Sequence, residues 1–324
     1  MKQRTLLLTV LSVLFVILGV LVYLYVTLVR PLGPAVSPDV VGLDYLFSIY
    51  GYGDKANELL EKPIGVAVDK DENIYISDTD HHRVLAFDED GDFLFKFGKE
   101  GDKPGELKFP LGLTVSPKGN IYVCDKAQSK IVIYDSKGKF IKEVYEMAPL
   151  AATVALNKLY VATYGHVVVY DLEGNLISRW GKRGRNPGDF DFPGGIAVDK
   201  AGNVYVSDSN NGRLQALDKN GEVLWVVGKP PKSMSEANRR FGLPDGLAMD
   251  DEGRLFVVDA FRSTIQVYSN KGKKLSEIGR LGHNDGEFFY PSEIAYSGGN
   301  KFAVSDRYNN RIQVVRLSVV KKSK

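Results

Sequence analysis

Beyond residue 60 the chain alternates short apolar runs with polar turns, and the same arrangement returns about every 45 residues. The copies are KPIGVAVDKDENIYISD (62–78), FPLGLTVSPKGNIYVCD (109–125), FPGGIAVDKAGNVYVSD (192–208), LPDGLAMDDEGRLFVVD (243–259) and YPSEIAYSGGNKFAVSD (290–306). A worn copy, ATVALNKLYVAT, runs over 152–163. Each copy reads as an apolar strand, a turn rich in Gly, Asn and Asp, and a second strand that ends on Asp in all but the worn one. A third strand follows (RVLAFD, KIVIYD, HVVVYD, RLQALD, TIQVYS, RIQVVR), then a turn and a fourth (FLFKFG, FIKEVY, LISRWG, VLWVVG, KLSEIG).

Four short antiparallel strands per unit, six units in a row, predict an all-β fold: a six-bladed β-propeller. The sixth unit stops after its third strand, whereas DYLFSIYGYGD (44–54) is a fourth strand with no unit before it. The strand over residues 45–50 is therefore expected to pair with the last blade as its outermost strand and close the ring.

The amino end changes the picture. Residues 5–29 carry no charged side chain, and a helix of that length, about 37 Å, crosses a hydrocarbon core of ~30 Å with some tilt. Lys2 and Arg4 precede it, and Tyr23 and Tyr25 lie near its far end, which favours an amino terminus inside and a body on the extracytoplasmic side. The expected organisation is a transmembrane signal-anchor (1–30), a Pro-rich linker (31–43), the propeller (44–318) and a basic tail (319–324). With 44% hydrophobic and 25% charged residues the chain reads as globular, and its formal charge of +2 gives no global basic field for nucleic acid. The single Cys124 excludes an internal disulfide and any cysteine-rich zinc site; within IYVCD it reads as a buried small hydrophobe.

The pattern P-x-G-[IVL]-[AT]-[VM], then N-[IV]-Y-[VI]-x-D and an Arg four or five residues on, resembles NHL repeats, as found in six-bladed propellers. That resemblance implies a fold and no particular chemistry. The recurring Asp78, Asp125, Asp208, Asp259 and Asp306 read as structural, each accepting backbone N–H groups of its own turn, some pairing with Arg83, Arg213 or Arg311. Among similar propellers the peptidylglycine amidating lyase carries its metal histidines just after the proline of the first strand. Here those places hold Ile64, Leu111, Gly194, Asp245 and Ser292. His82, His166 and His283 map to one face but lack ligand spacing, and read as surface histidines. Gluconolactonase-like propellers imply an axial calcium; Asp245 and Glu293, which break the apolar and glycine pattern of their positions, are the two candidate ligands for a channel metal. No cofactor is called for by any motif.

The repeat breaks at blade three. Connections such as GKEGDKPGELKFP and GKRGRNPGDFDFP are long, whereas the one into blade three is YEMAPLAATV, and VATYGHVV replaces the longer VSDSNNGRLQ between its second and third strands. Both losses fall on the face that carries the inter-blade connections, called here the top. They are expected to expose Met147, Leu150, Tyr164 and His166, beside Arg183 and Arg185, with the basic loop containing Arg239 and Arg240 two connections away. Top loops mix signs, as in Lys99 with Glu100, Asp102 and Glu106, which suits a shaped partner. The function expected is a membrane-tethered, non-catalytic scaffold whose top loops bind a protein in or near the membrane, or a small-molecule ligand. The alternative is a metal-dependent lyase or lactonase-like hydrolase with its site at the central channel.

Overall fold

The computed structural model describes residues 42–230 and 241–318. The expected transmembrane helix, nearly all of the linker, Arg239, Arg240 and the basic tail lie outside these residues. The described chain forms six four-stranded antiparallel sheets. It opens with β1 (Gly42–Ile49). Blade 1 is β2 (Val66–Val68), β3 (Ile74–Asp78), β4 (Arg83–Phe87) and β5 (Phe93–Phe97), and blade 2 is β6 (Pro110–Val115), β7 (Ile121–Asp125), β8 (Lys130–Tyr134) and β9 (Phe140–Tyr145). Blade 3 is β10 (Pro149–Ala155), β11 (Lys158–Thr163), β12 (Val167–Asp171) and β13 (Leu176–Trp180), and blade 4 is β14 (Pro193–Val198), β15 (Val204–Asp208), β16 (Arg213–Leu217) and β17 (Val223–Gly228). Blade 5 is β18 (Pro244–Met249), β19 (Arg254–Asp259), β20 (Thr264–Ser269) and β21 (Lys274–Ile278). Blade 6 holds β22 (Ile294–Gly298), β23 (Lys301–Asp306) and β24 (Arg311–Ser318), and takes β1 as its fourth strand.

The burial pattern explains the sequence pattern. The second and third strands of a blade are covered on both faces by neighbouring blades, so β3, β4, β7 and β8 are buried at every position and read as continuous apolar runs. The outer β9 alternates half-buried and exposed residues, the period-two mark of a strand with one wet face. Cys124 is fully buried in β7.

Closure follows the arrangement inferred from the orphan strand, three residues longer at its start and one shorter at its end. β1 pairs antiparallel with β24 from Gly42↔Ser318 to Ile49↔Ile312, with one bulge between Tyr45 and Phe47. Ile49 is 3% exposed and packs with Ile312 and Val314 of blade 6 against Ile76, Leu85 and Phe87 of blade 1, so the seam is sealed by apolar contact as well as by ladder bonds. The inner strands crowd one another at the top of the axis. A Cβ on Gly112 would lie 2.7 Å from the Ala151 Cα, and one on Gly246 would lie 2.4 Å from the Glu293 Cα, which is why the P-x-G glycine recurs.

Candidate functional site

The recurring aspartates bind the connection that leads into their own blade. Asp208 accepts from the Asp191 N–H at 2.8 Å, Asp306 from Phe289 N–H at 2.7 Å and Asp78 from Glu61 N–H at 2.7 Å. Bonds from their own turn, such as Gln128 N–H to Asp125 at 3.1 Å, are secondary, so the expected assignment of partners is corrected: the carboxylates hold the incoming connection. Arginine completes the clasp. Arg213 donates Nε to Asp208 at 2.8 Å and its Nη groups to the carbonyls of Arg185, Asn186 and Asp189, each at 2.8 Å. Arg311 and Arg83 do the same for their blades. These buried charges are paired and fully used for structure.

Blade 3 has lost this clasp. By register Thr163 stands opposite Pro149, where Asp208 stands opposite Pro193. The connection from β9 to β10 is Glu146, Met147 and Ala148 alone, whereas residues 181–192 join β13 to β14. Such a short link forces a sharp turn, and Ala148 takes φ 48° in the left-handed region. The turn from β11 to β12 is cut to Tyr164, Gly165 and His166, closed by the Thr163 N–H donating to the His166 carbonyl at 2.9 Å; residues 209–212 fill that place in blade 4.

A different polar cluster takes over the holding role. The Glu146 side chain is 1% exposed, accepts from Arg179 Nη2 at 2.8 Å, from the Met147 N–H at 3.1 Å and from the Tyr170 hydroxyl. Burial, and then the Glu146 charge, raise the Tyr170 phenol far above its ordinary pKa, so it stays a donor. His166 is held below the ordinary imidazole value, first by burial and then by the Arg179 charge.

Above this cluster lies an open cleft of about 370 Å³ on the top face. Its apolar surface comes from Tyr145, Met147 and Tyr164, with Arg179 and Arg183 at its edge. Tyr145 is 80% exposed and Met147 77%, whereas Tyr164 is half-buried. The Arg183 guanidinium lies over the Tyr164 ring at 4.6 Å, and Tyr164 meets Phe192 edge-on at 5.8 Å. Gly165 permits this approach, since a Cβ there would fall 2.7 Å from the Arg183 backbone nitrogen.

Of the residues singled out in the sequence, the structure brings Met147, Tyr164, His166 and Arg183 into one cleft. Leu150 is a correction: it is 4% exposed, because Pro149 already starts the inner strand and Leu150 takes the enclosed place that Leu111 has in blade 2. Arg185 is exposed on the next connection, outside the cleft. Tyr145, Glu146 and Arg179 were not foreseen. The one sequence signal for Glu146 is a carboxylate set in an otherwise apolar, shortened link.

Asp245 and Glu293 are both half-buried; Glu293 lines the axial channel, and Asp245 lies against Gly194 at the start of β14. Glu293 Oε1 accepts the Leu247 N–H at 3.2 Å and the Ile294 N–H at 3.1 Å, tying blade 5 to blade 6. Asp245 occupies room left by glycine, since a Cβ on Gly194 would lie 1.8 Å from its Oδ1. Burial pushes Asp245 up to about 7 against a smaller opposing pull from Arg307, and Glu293 well above the carboxylate range, although both keep some contact with solvent. Among the described residues no three His, Cys, Asp or Glu side chains converge as metal ligands. His82 donates Nδ1–H to the Lys108 carbonyl (2.6 Å) and His283 donates Nδ1–H to Asn309 Oδ1 (2.5 Å), each tied to a neighbouring loop.

Comparison with known proteins agrees with this architecture. A family model described as a 6-bladed beta-propeller matches residues 57–147, and an NHL repeat model matches residues 190–224. The human NHL repeat-containing protein 3 is 28% identical over 167 residues, which is 48% of this chain and 45% of that protein. A probable peptidyl-alpha-hydroxyglycine alpha-amidating lyase of Caenorhabditis elegans is 24% identical over 152 residues, 45% of this chain and 42% of that protein. The matches thus span less than half the length of either relative. The streptogramin B lyase structure superposes with TM-score 0.60 at 14% identity, covering 85% of this chain and 98% of that one, a likeness of fold alone. The described chain is thus a six-bladed β-propeller, similar to NHL-repeat proteins and matched by an NHL repeat model over residues 190–224.

Proposed function

We propose that this propeller is a membrane-tethered, extracytoplasmic binding module that docks a protein partner in the blade-three cleft and performs no chemistry there. The observation that carries the reading is the cleft itself: exposed Tyr145 and Met147 beside arginines, above a buried polar cluster that holds its floor. A large apolar surface with a polar rim is the usual form of a contact site, and Met and Tyr adapt to irregular partners at modest entropic cost. The tether rests on the uncharged run over residues 5–29.

Two experiments test this. The double variant Met147→Ser, Tyr164→Ser is expected to lose partner capture from membrane extracts while keeping the parent's melting temperature; unchanged capture removes the docking role. A carboxyl-terminal reporter is expected on the extracytoplasmic side, and a cytoplasmic reporter removes that placement. A second reading, a hydrolase or lyase site at the channel mouth, draws on Asp245 and Glu293 and on the similarity to lyases. Metal-dependent turnover of a lactone or a peptidyl-hydroxyglycine by the full chain would replace the first reading with the second.

A further inference from the structure

We propose that the segment docked in the blade-three cleft is an internal stretch of polypeptide in which a large apolar side chain is flanked by two acidic residues. This rests on the docking role proposed above and specifies its ligand. The charge balance of the cleft carries the argument. Its carboxylate, Glu146, is 1% exposed and already engaged by three donors, so it offers nothing to an incoming group. His166 is kept neutral near pH 7 by burial and by Arg179. The accessible charges are therefore both positive: the Arg183 side chain is 64% exposed and the Arg179 side chain 41% exposed.

Each guanidinium has spare donors. Arg179 spends Nη2 on Glu146, and Arg183 makes a long Nε contact of 3.4 Å to Asp191. A guanidinium presents five N–H groups in a planar fork matched to carboxylate. Each fork keeps N–H groups beyond its present partner, Glu146 for Arg179 and Asp191 for Arg183, so each can take one further carboxylate; a single chain terminus fills one, and an internal acidic–apolar–acidic segment supplies both. The apolar side chain between them meets Tyr145, Met147 and the face of Tyr164, whose ring is already fixed by Arg183 and Phe192. Fixed rings and a held floor mean that little ordering cost falls on the protein when the segment arrives.

The probe is a fluorescein-labelled Gly-Ser peptide with a central Glu-Leu-Glu, blocked at both ends, titrated by anisotropy against the full chain in detergent. Controls carry Lys-Leu-Lys, Glu-Ser-Glu, or a free carboxyl-terminal Leu with no acidic residue. The Glu-Leu-Glu peptide is expected to bind at least about tenfold more tightly than each control and to weaken with added salt. Arg183→Gln is expected to abolish the preference for Glu over Lys, and Met147→Ser the preference for Leu over Ser. Absence of binding, equal binding of the lysine peptide, stronger binding of the free-terminus peptide, or displacement by a polyuridine oligonucleotide at lower concentration than by unlabelled peptide overturns the proposal. If peptides show no selectivity yet the Met147, Tyr164 double variant loses partner capture, the ligand chemistry fails and the docking role stands. Capture that persists in that variant removes the docking role itself.

Discussion

Replacing Glu146 by Ala asks whether the blade-three cleft is built or is only what a worn repeat leaves behind. The side chain is buried and serves three donors, so its loss is felt unequally. Arg179 is 41% exposed and the Met147 N–H is only partly buried; both recover hydrogen bonds from water, and the ion pair contributes little after solvent screening. Tyr170 is 4% exposed, and its hydroxyl is left without an acceptor, a cost of about 1–3 kcal/mol. The desolvation of Glu146 itself is relieved, which offsets part of the rest. The net expectation is about 2 kcal/mol, or a fall in Tm of about 3 °C for a domain of this size. Scanning calorimetry of Glu146→Ala, Tyr170→Phe and the double variant measures it. The cycle should return a coupling of about 1 kcal/mol, because the second change removes the orphaned donor. A Glu146→Ala protein that melts within about 1 °C of the parent, or a cycle with no coupling, would refute the reasoning that this cluster holds the cleft floor.

Other consequences follow from the same geometry. Removing residues 41–52 strips β24 of its partner and should cause early melting and aggregation, whereas removing residues 1–40 should leave the melting curve in place; Ile49→Ala alone should cost about 3 kcal/mol by denaturant titration. Asp245 titrates near 7 in the folded chain and near its ordinary value of about 3.9 when unfolded. The folded state thus binds more protons between those values, stability falls as pH rises through that window, and Asp245→Asn should flatten the fall when Tm is compared at pH 5 and pH 8. His166 has the opposite sign: its folded pKa is depressed, the unfolded chain binds more protons below about 6.5, and stability is lost as pH drops through that range. Its imidazole resonances should titrate below the ordinary value and move up in Arg179→Gln.

The fold was legible because each repeat is one blade and each blade must bury the same strands. Ile76, Val123, Val206 and Val257 recur in phase since all occupy the doubly covered second strand. Closure by β1 was legible from a unit that lacked its end and an end that lacked its unit. Met147, Tyr164, His166 and Arg183 were legible as a group because two deletions on one face must expose what remains beside them. Leu150 was misread because a three-residue link and the first residues of an inner strand look alike when both are short and apolar. Glu146 and Arg179 were hidden for a different reason. The clasp they replace is written at fixed offsets within one repeat, Asp208 to Arg213, whereas theirs joins the exit of blade 2 to the outer strand of blade 3, 33 residues apart. Nothing in a repeat alignment points across that gap. Asp245 and Glu293 were visible as breaks in the pattern, but their enclosure depends on Gly194 and Gly246 making room, which only the packing of neighbouring inner strands reveals.

Site-specific photo-crosslinking tests in place whether the top of blade 3 meets a partner. A photoreactive residue is put at Met147, in the cleft, and in a second full-length protein at Leu156, which is 55% exposed at the turn on the opposite face of the same blade. In native membranes the Met147 probe should give a discrete higher-mass adduct that disappears when Arg183→Gln is added, and the Leu156 probe should give none. An adduct from Leu156 alone, or no adduct from Met147 in membranes where the protein still captures its partner, would contradict that contact.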